Sequence, residues 1–201
     1  LAHYIAKYDG GDYAEKVVHG DIHTENQKAA GLTTRNQAKT FIYGFLYGGG
    51  AAKLGQIVGG STKEGAKLKA RFLKALPALN TLIQKVQQAS TKGYLIGLDG
   101  RRIKVRAEYA ALNTLLQSAG ALICKQWLIE FDHALKETGL CKHAQQVAWI
   151  HDEIQVEVEK GYSHEVGRIA VKSIRDAGKH FGIRCQLDGE FKVGDNWANT
   201  H

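Results

Sequence analysis

Four side chains recur at every fourth position in TRNQAKTFIYGFLYGGG: Arg35, Lys39, Tyr43 and Tyr47, with three glycines, Gly48 to Gly50, following at once. On a helix, four residues advance about 400°, so the four side chains span a stripe of roughly 120°. Ala38, Phe41, Ile42 and Phe45 fall on another side and are free to bury. One face therefore packs, and the other offers guanidinium, ammonium, phenol and phenol in order. Cations at the start of a helix oppose its dipole, a cost that an anion bound there removes. A triphosphate is such an anion, and the helix N-terminus adds its own field. Phenols further along have flat faces for a sugar or a base. The alternative is a surface helix with scattered charge. His23, in GDIHT, adds a phosphate donor if its loop folds back.

A second constellation is AWIHDEIQV, where Asp152 and Glu153 stand between two apolar runs. Adjacent residues of a strand face opposite ways, but a tight turn presents both carboxylates near one point. Magnesium takes carboxylate oxygens and keeps several waters and substrate phosphates. Two-metal chemistry draws on a further carboxylate beyond such a pair, and Asp-Glu at a hairpin tip is also ordinary turn chemistry. A third is LNTLLQSAGALICK, with Asn113 and Gln117 four apart on one helix face. Their amides can reach base edges or sugars in a groove, or can equally be satisfied within a core. Ser118, Ala119 and Gly120 are small enough for another backbone to approach.

The elements that position these residues are mostly helical. Apolar spacing predicts short helices over 1–8 and 12–19, closed by glycine breakers. GDIHTENQKAAG reads as a connection leading to Thr33 and Thr34, either of which can N-cap a helix over about 35–48. Six glycines between Gly48 and Gly60 mark a flexible or closely approached joint. Residues 62–90 read as helix with a break near Pro77, 94–106 as a hairpin about Asp99-Gly100, and 107–137 as a long helix. VAWIHDEIQVEV, over 147–158, reads as strand, turn, strand; 164–181 is an amphipathic helix; a strand-like segment then precedes GDNWANTH. The fold class is α+β.

Composition bounds the function. The chain has 201 residues, 44% of them hydrophobic, so it is globular, and its net charge of +7 suits a polyanion, nucleic acid first, or equally an ordinary basic enzyme. Cys124, Cys141 and Cys185 form no C-x-x-C pair, which points away from a zinc site and a disulfide framework. No apolar run reaches the ~20 residues of a membrane span. Methionine is absent and the chain starts LAHYIAKYDGG, so Leu1 is expected to lie inside a longer polypeptide or to follow processing.

RNQAKTFIYGFLYG resembles the nucleotide-binding finger helix of family A DNA polymerases, R-x3-K-x3-[FY]-x3-YG, and WIHDEIQVEV resembles their palm hairpin. ALNTLLQSAGALICK is similar to the helix that contacts the duplex minor groove, and GDIHT and GDNWANTH also match. The likeness covers essentially the whole chain and is greatest to replicative polymerases of short-tailed bacteriophages. It implies helical fingers with a small antiparallel palm sheet, divided as a palm helix over 1–20, fingers over 21–105 and C-terminal palm over 106–201. It implies that Arg35 and Lys39 hold the incoming triphosphate with His23 assisting, and that Tyr43 packs on the sugar and tolerates a missing 3′-hydroxyl. Tyr47 and Gly48 would meet the template base and nascent pair, Asn113 and Gln117 the duplex, and His151 the primer terminus. Asp152 would ligate magnesium, with Glu153 supporting the site.

The same likeness implies partners: primer-template DNA, a deoxynucleoside triphosphate and an upstream polymerase segment, and it leaves open a processivity factor, in the cytoplasm of a bacterial host, with no membrane. Two departures stand out. Tyr109 replaces an arginine found in some relatives, and the strand bearing the other metal aspartate lies before the point that matches Leu1. The chain alone is therefore expected to be inert, either a nucleotide- or DNA-binding fragment or half of a split polymerase. A single-subunit RNA polymerase shares the lysine-tyrosine helix, but its hairpin reads His-Asp-Ser where this one reads His-Asp-Glu.

Overall fold

A computed structural model describes residues 1–200. The chain divides into two compact units, one over Leu1–Ser118 and one from Ala119 onward. The first carries seven helices, a two-stranded hairpin and the start of an eighth helix. Helices α1 (Ala2–Asp9) and α2 (Asp12–His19) are joined through left-handed Gly10 and Gly11. Helix α3 (Ile22–Ala30) follows, then α4 (Arg35–Leu46), α5 (Ala51–Ile57), α6 (Thr62–Ala75) and α7 (Pro77–Ser90). Strands β1 (Tyr94–Ile96) and β2 (Arg102–Lys104) pair antiparallel about the Asp99-Gly100 turn. A 3-10 turn over Glu108–Ala110 leads into α8 (Ala111–Glu137), and the boundary between the units falls inside that helix.

One correction to the sequence reading and one choice between its alternatives fall in this unit. The GDIHTENQKAAG stretch is not a connecting loop: Asp21 caps α3 and accepts from the His23 N–H at 3.1 Å. The six-glycine stretch is closely approached rather than flexible: α5 forms within it and buries Leu54, and a Cβ on Gly55 would stand 2.2 Å from the Ser61 carbonyl oxygen. A glycine costs only about 1 kcal/mol of helix propensity, which burial of a leucine offsets.

Helix α4 starts where the sequence placed it. Thr34 and Gln37 form a reciprocal capping box, the Gln37 N–H donating to Thr34 Oγ1 and the Thr34 N–H to Gln37 Oε1. Its inner face buries Ala38, Phe41, Ile42 and Phe45. Phe72 of α6 meets Phe41 edge-on at 5.0 Å and Phe45 at 5.4 Å, so three rings lock α4 to α6. Leu79, Leu82 and Val86 of α7 extend the core.

The second unit holds the rest of α8, an antiparallel pair β3 (Ala144–Ile150) and β4 (Glu153–Val158), and α9 (Ser163–His180). Ala144 pairs with Val158 and Ile150 with Glu153, with a register shift at Val147. Phe131, Leu135, Leu140, Ala144 and Val166 form its core, flanked by Val156, Val158 and Ile169. The Trp127 indole donates to the Ala170 carbonyl at 2.8 Å, tying α8 to α9.

The strand-like segment before GDNWANTH is not a strand: residues 185–194 carry no regular secondary structure, and a strand needs a ladder partner that this segment does not take. It docks through side chains instead. Phe191 lies over Gly167 of α9 so closely that a Cβ there would fall 2.3 Å from the ring, and Asp188 forms a bidentate pair with Arg175. No helix among the described residues is long and apolar enough to cross a membrane.

Candidate nucleotide and metal sites

The outer face of α4 carries the ladder as the spacing requires. Lys39, Tyr43 and Tyr47, together with Thr40, Gly44, Lys53 and Ile57, line an open groove of about 440 Å³. Tyr43 is 51% and Tyr47 59% exposed, so both phenols are presented to solvent rather than packed. Lys39 has no ion pair among the described residues, which leaves its ammonium available one turn into the helix.

Arg35 sits differently. Its Nε donates to Asp21 Oδ2 at 2.7 Å and its Nη2 to Asp21 Oδ1 at 3.2 Å. The Arg35 guanidinium, helped by the Thr24 hydroxyl, holds the Asp21 carboxyl well below the usual carboxylate range. The same carboxylate accepts from the His23 backbone, so His23 enters the first turn of α3 beside this ion pair instead of lying in a mobile loop. Its Nδ1 is buried without a hydrogen-bond partner among the described residues. Sequence reasoning missed Asp21. The available signal was an aspartate just before IHTENQKAA, a helix N-cap pattern that hydrophobic periodicity alone does not register.

Where α4 ends, Tyr47, Gly48 and Gln117 come together. The Gln117 Nε2 donates to the Tyr47 hydroxyl at 3.1 Å. Gly48 is left-handed at φ +79°, and a Cβ there would stand 2.8 Å from the Tyr109 carbonyl oxygen, so both conformation and space require glycine. Tyr109 is itself exposed. Asn113 lies on the same helix as Gln117, one turn earlier and half-buried.

In the second unit, His151 and Asp152 form the two-residue tip between β3 and β4. His151 is the one non-glycine residue with positive φ among those described, at 55°. Such a conformation is uncommon outside glycine, but histidine adopts it more readily than most residues, and here it closes the tight turn. Trp149 Nε1 donates to the His151 carbonyl at 2.7 Å and so fixes the tip from inside the hairpin. Asp152 is exposed, while Glu153 is half-buried. Glu153 Oε1 accepts from Trp197 Nε1 at 3.0 Å and from the Gln155 amide. Burial pushes the Cys124 thiol of α8 up and the Asp152 charge adds to the shift, which places that carboxylate in the field of α8.

The donors at this tip fit magnesium in kind, since carboxylate oxygens are the hard ligands it prefers. They make part of a coordination shell: no group of three or more His, Cys, Asp or Glu side chains gathers among the described residues.

The model of DNA polymerase family A matches residues 14–199. The chain is 46% identical to the DNA-directed DNA polymerase of Enterobacteria phage T3 and 45% to that of Escherichia phage T7, in each case over all of this chain and 31% of the relative. It is 33% identical to DNA polymerase I of Aquifex aeolicus over 82% of its length. The POL domain of Pol1 from M. smegmatis, solved with DNA primer-template and dNTP, superposes with a TM-score of 0.76 at 25% identity, covering 88% of this chain and 35% of that one. The chain thus spans about a third of the length of these relatives.

Proposed function

We propose, from the premise that the chain belongs to DNA polymerase family A, that it supplies the nucleotide-binding helix and one corner of the metal site for template-directed DNA synthesis. In that reaction the primer 3′-oxygen bonds to the α-phosphorus of a deoxynucleoside triphosphate, the 3′-hydroxyl proton passes to solvent, and the bond from the α-phosphorus to the bridging oxygen breaks so that pyrophosphate leaves. Residues 21–105 act as fingers, with 1–20 and 106–201 contributing to the palm.

One observation carries the reading. On α4, a cation and two phenols line an open groove while three interlocked phenylalanines hold the opposite face. Arg35 and Lys39 bind the triphosphate, His23 assists, and Tyr43 takes the sugar. Tyr47 and Gly48 adjoin the template base, Asn113 and Gln117 contact the duplex, and His151 approaches the primer end. Asp152 and Glu153 hold magnesium, which when bound stabilises charge on the attacking and leaving oxygens. The Trp197 and Gln155 donors fix the Glu153 carboxylate in place for that purpose. Closure of the α4 groove over a nucleotide would exclude water and strengthen the Lys39 and Tyr43 contacts. The remaining polymerase polypeptide, primer-template DNA and a deoxynucleoside triphosphate are the partners this function requires, in the cytoplasm of a bacterial host, and a processivity factor is an optional further one.

The test joins this chain to the upstream part of the phage T3 enzyme in place of the matching third. Lys39→Ala should raise the dNTP concentration needed for half-maximal extension by roughly tenfold or more, the loss of a charge-assisted phosphate contact. Asp152→Ala should abolish extension with primer-template binding largely kept. Extension by the Asp152→Ala enzyme at the parent rate overturns the metal assignment.

A further inference from the structure

We propose that Asp21 is a positioning residue for the nucleotide phosphates: it holds the Arg35 guanidinium from one side so that the opposite edge stays presented to a triphosphate at the start of α4. The inference rests on the reading of α4 as a nucleotide helix and adds a residue that this reading does not use.

The geometry separates the two partners of the arginine. A guanidinium carries five N–H donors in a planar fork. Asp21 takes the Nε/Nη2 side, at 2.7 and 3.2 Å. That pair uses one hydrogen each of Nε and Nη2, so three hydrogens on the Nη1/Nη2 end are not engaged by the carboxylate. A phosphate group engages such an end through two parallel bonds. Carboxylate and phosphate therefore bind different edges and do not exclude each other.

Asp21 is itself immobilised. Its Oδ1 accepts from the His23 N–H at 3.1 Å and its Oδ2 from the Thr24 hydroxyl at 2.8 Å, which anchors the carboxylate to the first turn of α3. The ion pair thus ties the N-terminus of α3 to that of α4. Without it, a half-exposed arginine at the first position of α4 would be repelled by the helix dipole and would sample many rotamers. Fixing those rotamers before the ligand arrives removes an entropic cost from binding. Asp21 also repels the incoming anion, but both partners face solvent, where such a charge is well screened. The proposal requires the positioning effect to exceed this repulsion, which the sign of the change in Asp21→Ser decides.

The experiment titrates the whole chain with fluorescent N-methylanthraniloyl dATP and, separately, with the corresponding dAMP. Asp21→Ser keeps a good N-cap for α3 but cannot reach Arg35, and Asp21→Asn keeps cap and length but loses the charge. Asp21→Ser should weaken dATP binding about three- to tenfold, as expected for a charge-assisted contact left unoriented, with dAMP binding unchanged. Asp21→Asn should fall between. In an Arg35→Lys background, Asp21→Ser should add no further loss. Equal or tighter dATP binding by Asp21→Ser, or the same loss in the Arg35→Lys background, overturns the proposal. Lys39→Ala is the control for the parent reading. If it weakens dATP binding while Asp21→Ser does not, only the positioning role fails. If Lys39→Ala has no effect either, the nucleotide helix itself is refuted.

Discussion

The Trp197 indole donates to Glu153 Oε1 at 3.0 Å, joining the last 3-10 turn to the first residue of β4. The bond reaches across 44 positions of sequence and ends on a carboxylate of the proposed metal corner. Trp197→Phe keeps an aromatic ring and deletes the donor. It should destabilise the second unit by about 1 kcal/mol, the net worth of a partly exposed hydrogen bond, read from urea unfolding. Amide exchange should rise at residues 150–154 more than in α9. Unchanged protection at the tip would show that the hairpin holds Glu153 without help.

Gln117 and Tyr47 make the corresponding link in the first unit, at 3.1 Å over 70 positions. Both side chains are at least partly exposed, so the bond is weak enough to be exchanged for another partner. A double-mutant cycle with Tyr47→Phe and Gln117→Ala should give a coupling of about 0.5–1 kcal/mol in thermal unfolding. Saturating primer-template DNA should abolish that coupling if the two groups are drawn onto the duplex as proposed. A coupling that persists with DNA bound would assign the pair a purely structural role.

What could be read from sequence followed the hydrophobic pattern. Helix α4 was legible because Ala38, Phe41, Ile42 and Phe45 repeat with helical period and Thr34 and Gln37 make a capping box. The β3–β4 hairpin was legible because two apolar runs flank a polar tip. Helix α3 was not, because the residues it buries are Asn26 and Ala30, and Asn26 contacts Tyr13 through a polar pair. A helix whose buried face is an amide and a methyl carries no apolar stripe. Leu187 and Phe191 gave the tail an alternating, strand-like look, but their partners are glycines on α9 rather than a neighbouring strand. The Asp21–Arg35 and Trp197–Glu153 links escaped for a different reason: long-range pairs between charged or polar groups leave no periodicity to detect.

The Asp21–Arg35 pair also predicts how the fold responds to acid. Hydrogen bonds from Arg35, then Thr24, depress the Asp21 pKa in the folded chain. A depressed folded pKa adds stability that is present above the unfolded value, about 3.9, and is lost as pH falls towards the folded one. Asp21→Asn keeps the α3 cap and removes the titration. The melting temperature of the parent should therefore exceed that of Asp21→Asn from pH 7 down to about 5, and the gap should close as pH drops below about 4. Circular dichroism melts at five pH values test this. A gap that stays constant to pH 2 would mean that the difference does not come from the carboxylate's charge.

Phe72 tests whether packing behind α4 sets the geometry in front of it. The side chain is fully buried and meets Phe41 at 5.0 Å and Phe45 at 5.4 Å, both edge-on, while Lys69 approaches the Phe45 ring from α6. Phe72→Ala should cost about 3–5 kcal/mol, the range for truncating a buried phenylalanine, and is expected to unfold much of the first unit. Phe72→Leu retains most of the volume and should cost about 1–1.5 kcal/mol, leaving the fold intact. Its informative readout is nucleotide binding, since Phe72 lies on the face of α4 opposite the groove. If the ring cluster fixes the azimuth of α4, Phe72→Leu should weaken binding of a dATP analogue by about twofold to fivefold, because a small rotation moves Lys39 and Tyr43 together. Unchanged affinity alongside the expected loss of stability would show that the groove tolerates that rotation, and that the ladder is held by the capping box at Thr34 instead.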